Sequence, residues 1–476
     1  MAITRVNFGE WLPDQPGVIG ALTNASNVYP RLTGYGPFPQ EVDYSQAASE
    51  TLNNVVAAQG TDGTTRVFAS GATKLFRLDT TDYSLDDVSA TTYTSTTKWR
   101  FTQYGNKLIA ANGANTLQSY DMTTTGNFAN LSSDAPKSKF VTVVRDFVVA
   151  AHNPDAKFRV NWSGIGNETT WAASATTQAD YQDIPDGGNI QGITGGEFGL
   201  VLLERSIVRM SYIGSPLIFQ FDNIARNLGC YEPNSVIQWQ GITYFLGNDG
   251  FYACDGTAIS AIGAEKVNRT FFKDLEESLL NNMSAAVDPE RNLIMWGYPS
   301  INDDYRILIF HVPTKRWSYV VTTASGVAAS STPTATLESL DNYSASIDAL
   351  ETSLDSRVWL GGKITLAGYD GAKIITFSGQ PKTGQIDTSD LETGSSKSMI
   401  TLAKPVVDNG SGSVAIATRQ LLNETPTFGT YTAADSEGRI GIRSLGRYHR
   451  LSVQPSGVEW SAAIGVELDI QQAGMR

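Results

Sequence analysis

The chain has 476 residues, enough for two or three domains with sizeable cores. Its net charge of -13 and pI near 4.8 argue against a surface built to neutralise nucleic-acid phosphates. Charged residues are only 17% and glycines number 44, a mixture that points to turn-rich β-structure rather than helical bundles.

MAITRVNFGEWLPDQPG lacks the charged segment and apolar stretch of a signal peptide, so none is expected, and no run is long enough to span a bilayer. Residues 1–50 are rich in Pro, Gly and Asn, and NVYPRLTGYGPFPQ (27–40) sets aromatics between turn formers. This segment reads as an extended N-terminal arm packed on another part of the assembly.

From residue 51 to 382 one pattern recurs: a short apolar run, a turn, then a second strand. The runs are RVFAS (66–70), KLIAA (107–111), DFVVAA (146–151), GLVLLE (199–204), ITYFLG (242–247), NLIMWGY (292–298) and RVWLGG (357–362). Measured from Val67 through Leu108, Phe147, Leu200, Ile242 and Leu293, successive gaps are 41, 39, 53, 42 and 51 residues. The strands that follow include GATKLFRLD, NDGFYACD and DGAKIITFSG, and the Asp-Gly turns of the last two accept positive φ at little cost. Units of this length with several short strands predict a β-propeller of six or seven blades, stacked because one blade cannot bury both of its faces. A set of β-sandwiches is the competing architecture.

RTFFKDLEESLLNNM (269–283) has helical periodicity, with Phe271, Leu275 and Leu279 on one face and Asn268 placed to cap it. Near 335–355, SLDNYSASIDALETSLD repeats Ser-(Leu/Ile)-Asp three times at intervals of seven. Leu340, Tyr343, Ile347, Leu350 and Leu354 then form an apolar stripe close to a heptad seam. The segment is too short for an independent coiled coil, and aspartates seven apart on a helix stand roughly 10 Å apart, too far to share a calcium ion. It is expected to be a helical insert whose stripe forms an assembly interface. Residues 383–476 alternate apolar and polar residues in long strands, predicting a C-terminal antiparallel β-domain of sandwich type.

Chemistry-bearing patterns are sparse. His152, His311 and His449 share no metal-ligand spacing, and no phosphate-binding glycine loop or nucleophile elbow occurs, so no metal or cofactor is expected. Cys230 and Cys254 form neither a disulfide framework nor a zinc site, and are expected as free thiols in a protein assembled in a reducing cytoplasm. The acid pairs Asp86-Asp87, Glu276-Glu277 and Asp303-Asp304 are candidates for glycosidase chemistry. Carboxylates adjacent on a strand, however, point to opposite faces. A glycan-binding or glycan-hydrolysing propeller is the alternative reading they leave open, and a scaffold propeller that recruits protein partners is a third.

Four blocks in order carry a family likeness. These are NFGEWLPDQP with ASNVYPRLTGYGPFPQ (7–40), TYFLGNDGFYACDGTAISAIGAEKVNRTFFKDL (243–275), SLDSRVWLGGKITLAGYDGAKIITFSG (353–379), and NGSGSVAIATRQ with SLGRYHRLSV and AGMR (409–476). Together they resemble the nozzle proteins of short-tailed bacteriophages, also called tail hub or packaged-DNA stabilisation proteins. The resemblance implies a structural, non-enzymatic virion protein of the tail. Such proteins form a homo-oligomeric ring, usually of six copies, below an adaptor ring. The ring docks tail fibres or spikes, retains the genomic DNA, and lets it pass at ejection without sequence-specific binding. An acidic chain suits the wall of such a conduit, since a basic one would hold the duplex.

Overall fold

The computed structural model of the protein describes residues 3–15, 17–94, 98–331, 344, 346, 349, 350, 352–354, 356–359, 364–392 and 397–473. Among these residues seven four-stranded antiparallel units succeed one another: 54–87, 100–130, 140–183, 190–226, 237–261, 284–322 and 326–381, the last completed from elsewhere in the chain. The first strand of each unit packs beside the first strand of the next, and the seventh returns to the first. The protein is a seven-bladed β-propeller, the upper of the two blade numbers expected.

The second strand of each blade explains why the sequence pattern was visible. KLIAA, FVVAAHN, GLVLL and LIMWGYP are buried almost throughout, because a neighbouring blade covers each face. Seven apolar clusters result, one for each junction between blades. Phe68, Trp99, Leu108 and Tyr120 join blades one and two, while Phe147, Val201, Met210 and Phe219 join three and four. Met295, Ile309, Val327 and Ile375 join six and seven.

The seventh blade is closed by the N-terminal segment. Residues 1–50, expected as an extended arm, contain five strands: β1 (Ile3–Asn7), β2 (Leu22–Ser26), β3 (Val28–Pro30), β4 (Tyr35–Pro37) and β5 (Pro39–Asp43). β5 is the outer strand of blade seven, antiparallel to Lys373–Pro381. The other four belong to the second lobe. There β1 and β4 pair with Ala462–Gln472, β3 pairs with β4, and Ser398–Asp408 and Ile440–Gly446 complete the sheet. The facing sheet holds β2, Gln385–Thr388, Tyr448–Ser456, Ser411–Arg419 and Thr432–Ala433. Short strands broken by Pro and Gly have no readable alternation, which is why this segment looks irregular in sequence. At Gly34, φ is +72° and a Cβ would stand 2.0 Å from the Ala463 carbonyl oxygen, so the turn between β3 and β4 requires glycine.

The sandwich is fused to the propeller rather than tethered to it. β2 meets the outer strand of blade six, Arg316–Thr322, in a parallel bridge between Ser26 and Tyr319. One apolar cluster then runs from Phe251, Trp296 and Trp317 of blades five and six, through Trp11 and Leu22, to Ile386, Leu451 and Leu468 of the sandwich.

Two local expectations are corrected. The helix foreseen over 269–283 is a short helix α1 (Asn268–Asp274) followed by a 3-10 turn, Glu277–Asn282. Leu275 is extended between them and bridges to Ser300 of blade six, so tertiary pairing ends the helix. Asn268 lies inside α1 and not at its cap; Asp14 accepts from the Arg269 and Thr270 N–H groups instead, each at 2.8 Å. RVWLGG does not begin a strand: Arg357–Trp359 is a 3-10 turn, and Val358 and Trp359 are buried between blades seven and one. The second strand of blade seven is Ile364–Asp370.

Candidate functional site

The first strands of all seven blades surround a central cavity of about 320 Å³. They run in the same direction, so their starting ends meet at one end of the axis. Asn54, Lys98, Arg100, Phe140, Asn234, Met283 and Tyr369 gather at that end. In the stretch Lys98-Trp99-Arg100, Trp99 is fully buried between blades one and two, while Lys98 and Arg100, two residues apart, both face the cavity.

Lys98 Nζ donates to the Tyr369 hydroxyl at 2.9 Å and to the carbonyls of Met283 at 3.1 Å and Asn282 at 3.3 Å. Arg100 donates to the side-chain carbonyl of Asn234, whose amide in turn donates to the Asn281 carbonyl at 2.9 Å. The Phe140 ring is flanked by Arg100, its Cζ 6.0 Å from the centroid, and by Lys139, its Nζ 5.4 Å away. The one carboxylate in this group is Glu232, buried and accepting from the Asn234 N–H at 2.9 Å.

The electrostatics follow from burial. Loss of solvent, reinforced by the charge of Arg100 and opposed by Glu232, pushes Lys98 down to about 7. Burial also lowers Arg100 and Lys139 and raises Glu232. Among the described residues, no carboxylate stands within ion-pairing distance of Lys98, Arg100 or Lys139, although most other inward-leaning cations of the protein have one. An acidic chain thus encloses a basic interior point.

The sequence-derived candidates lie elsewhere. Asp86 pairs with Arg77 and Asp87 with Lys74, on the two faces of one outer strand. Glu276 caps the 3-10 turn through Ser278, and Glu277 accepts from the Tyr231 hydroxyl at 2.8 Å. Asp304 pairs with Arg306. His152, His311 and His449 are separated, bonded respectively to the Ile190 carbonyl, Thr314 and Ser398. No group of metal-ligating side chains occurs among the described residues. Cys230 and Cys254 are buried free thiols, and burial pushes Cys230 up to about 12. Of the apolar stripe, Leu340, Tyr343 and Ile347 lie outside the described residues. Leu350 packs on the cluster between blades one and seven, and Leu354 is 49% exposed. The structure brings none of these candidates to the cavity. The residues that are there were missed, because a Lys-x-Arg pair announces nothing until the topology places it on an inner strand.

No protein-family model matches the chain, and no curated protein does. Among solved structures, a chain of the mitotic checkpoint complex is similar over 73% of this chain and 97% of its own, at 9% identity and a TM-score of 0.41. The computationally designed Ika8 protein is similar over 71% and 99%, at 10% identity and a TM-score of 0.38. The propeller assignment rests on the order of the sheets themselves. No helix among the described residues is long and apolar enough to cross a membrane.

Proposed function

We propose that the chain is a structural subunit of a bacteriophage tail. In this reading its copies form the nozzle ring, usually of six, that closes the tail channel, retains packaged DNA and opens at ejection. The observation that carries the reading is the way both ends of the chain are woven into one lobe that extends the sheet of blade six. This makes a rigid two-lobed body, suited to the repeated head-to-tail contacts of a ring. The sequence blocks that resemble nozzle proteins fall on this framework: blade five with α1, blade seven, and both halves of the sandwich. Of the acid pairs that would support glycan hydrolysis, Asp86, Asp87, Glu276, Glu277 and Asp304 are engaged in framework ion pairs, turn caps and hydrogen bonds, and Asp303 is exposed in a turn.

Partners follow from the same reading: an adaptor ring above, tail fibres or spikes at the side, and DNA in a lumen formed between subunits rather than along the propeller axis. Apolar side chains left exposed, such as Leu32 at 78% and Val458 at 69% on sandwich turns, suit subunit contacts. Native mass spectrometry of the purified chain and electron microscopy of virions test the proposal, with a closed ring expected in both. A chain that stays monomeric and is absent from virion tails would overturn it.

A further inference from the structure

We infer that the basic end of the central cavity is a binding site for one small, multiply charged oxyanion of the phosphate class. The inference goes beyond the tail reading and does not depend on it.

Two cations, Lys98 and Arg100, line this end, and Lys139 lies beside the lining residue Phe140, against one buried carboxylate, Glu232. Glu232 directs its hydrogen-bonding capacity to the backbone of its own turn, not to the lysines or Arg100. Withdrawing like charges from water without a counter-charge is costly, and a bound anion removes that cost. The three cations have distinct parts. Lys98 has its ammonium donors occupied by Tyr369 and two carbonyls, which hold it at the wall, and a bound anion would favour its charged form. Arg100 gives one arm to Asn234 and leaves the rest of its planar donor fork to the cavity, a geometry matched to two oxygens of a phosphate. Lys139 lies over the Phe140 ring, outside the cavity lining, and adds a nearby positive charge.

Size and polarity narrow the ligand. A cavity of about 320 Å³ ringed by seven strands excludes a nucleic-acid duplex, and the excess positive charge excludes metal ions. Asn54 and Asn234 give their amides to the Trp99 and Asn281 carbonyls, which leaves Arg100 as the principal donor to the ligand. The ligand is a free phosphate-type ion or the phosphate of a small ester.

The test is a phosphorus-31 NMR titration of the full chain with inorganic phosphate, and separately with phenyl phosphate, in chloride buffer of constant ionic strength. Saturable binding by the wild type is expected. Arg100→Gln and Lys139→Met should each weaken it at least about tenfold, the effect of losing a charged hydrogen bond. Lys373→Met, which removes a cation paired with Asp43 on the outer strand of blade seven, should leave it unchanged. Lys139 makes no side-chain hydrogen bond among the described residues, so its variant folds even if Arg100→Gln does not. Equal affinity for phenyl phosphate assigns the site to a phosphate ester, and binding of inorganic phosphate alone assigns it to the free ion. Absence of saturable binding to the folded wild type overturns the inference. Binding weakened by neither cavity variant, or weakened as much by Lys373→Met, also overturns it.

Discussion

Val42 stands directly opposite Thr376 in the ladder that closes the seventh blade. The pair joins a strand near the start of the chain to the last strand of the propeller. Val42 is buried, so a carboxylate in its place would be withdrawn from water. Val42→Asp should therefore destabilise the whole propeller by roughly 3 kcal/mol or more. Urea unfolding followed by tryptophan fluorescence reads this. A loss confined to a local opening of blade seven would show that closure is not cooperative.

Asp14 ties the N-terminal segment to the start of α1 through two backbone N–H groups and the Thr270 hydroxyl. Asp14→Ala should cost about 1–2 kcal/mol, the range for a lost N-terminal cap. Asp14→Asn, which keeps an acceptor oxygen, should recover most of it. Hydrogen exchange at the amides of 269 and 270 localises the effect.

Asp390 sits between Arg419 and Arg450, hydrogen-bonded to both guanidinium groups. Burial works to raise its pKa, yet Arg450 and Arg419 hold it below the usual carboxylate range. A depressed carboxylate contributes stability above its unfolded value of 3.8, and that contribution is lost as the pH falls through the folded value. Asp390→Ala, which strands two guanidinium groups, should cost about 3 kcal/mol at neutral pH. The gap from wild type should narrow below about pH 4. A gap that does not change with pH would rule out this ion cluster as its source.

Lys98 shifts in the same direction for the opposite reason, because burial disfavours its charged form. With a folded value of about 7 against 10.5 in the unfolded chain, the unfolded state holds an extra proton between those limits. Stability from this group rises with pH through that window, and below about 7 the full cost of burying the charge is present. Arg100 and Tyr369 line the same cavity end, and Arg100 and Glu232 are the charges that act on Lys98. In phosphate-free buffer, the wild type should gain stability from pH 7 to 9 relative to Lys98→Met. Parallel profiles would exclude the shift.

Leu354 is half exposed, whereas Leu350 packs on the propeller. If the stripe serves assembly, Leu354→Asp should leave the melting temperature of the isolated chain within about 1 °C and reduce ring formation on native gels. Leu350→Asp should lower the melting temperature itself. Unaltered rings with Leu354→Asp would remove this residue from any interface.

The legible part of the fold was the part buried on both sides. Second strands such as GLVLL read as continuous apolar runs, and in blades five and seven the Asp-Gly turns after them marked hairpins. The inner strands were not legible, because NVVAAQ and RFTQY face a polar cavity on one side and a neighbouring blade on the other. Val358 and Trp359 imitated a strand because wedging between two blades demands the same apolar side chains as a strand does. The closing strand PQEVD carries too little local signal, since its pairing partner lies far along the chain. The basic site stayed hidden for a related reason. Its cations come from the ends of neighbouring inner strands, and only circular closure brings them to one axis.

The strands that close the propeller and line the sandwich also impose a timetable on synthesis. β1 to β5 leave the ribosome first, yet β5 has no partner until Lys373–Pro381 has been made, and β1 none until Ala462–Gln472. β1 and β5 must therefore wait, unpaired, until strands made much later in the chain are present. A chain stopped at any intermediate point has an open ring and an unmated edge, so the body can be completed only as a whole.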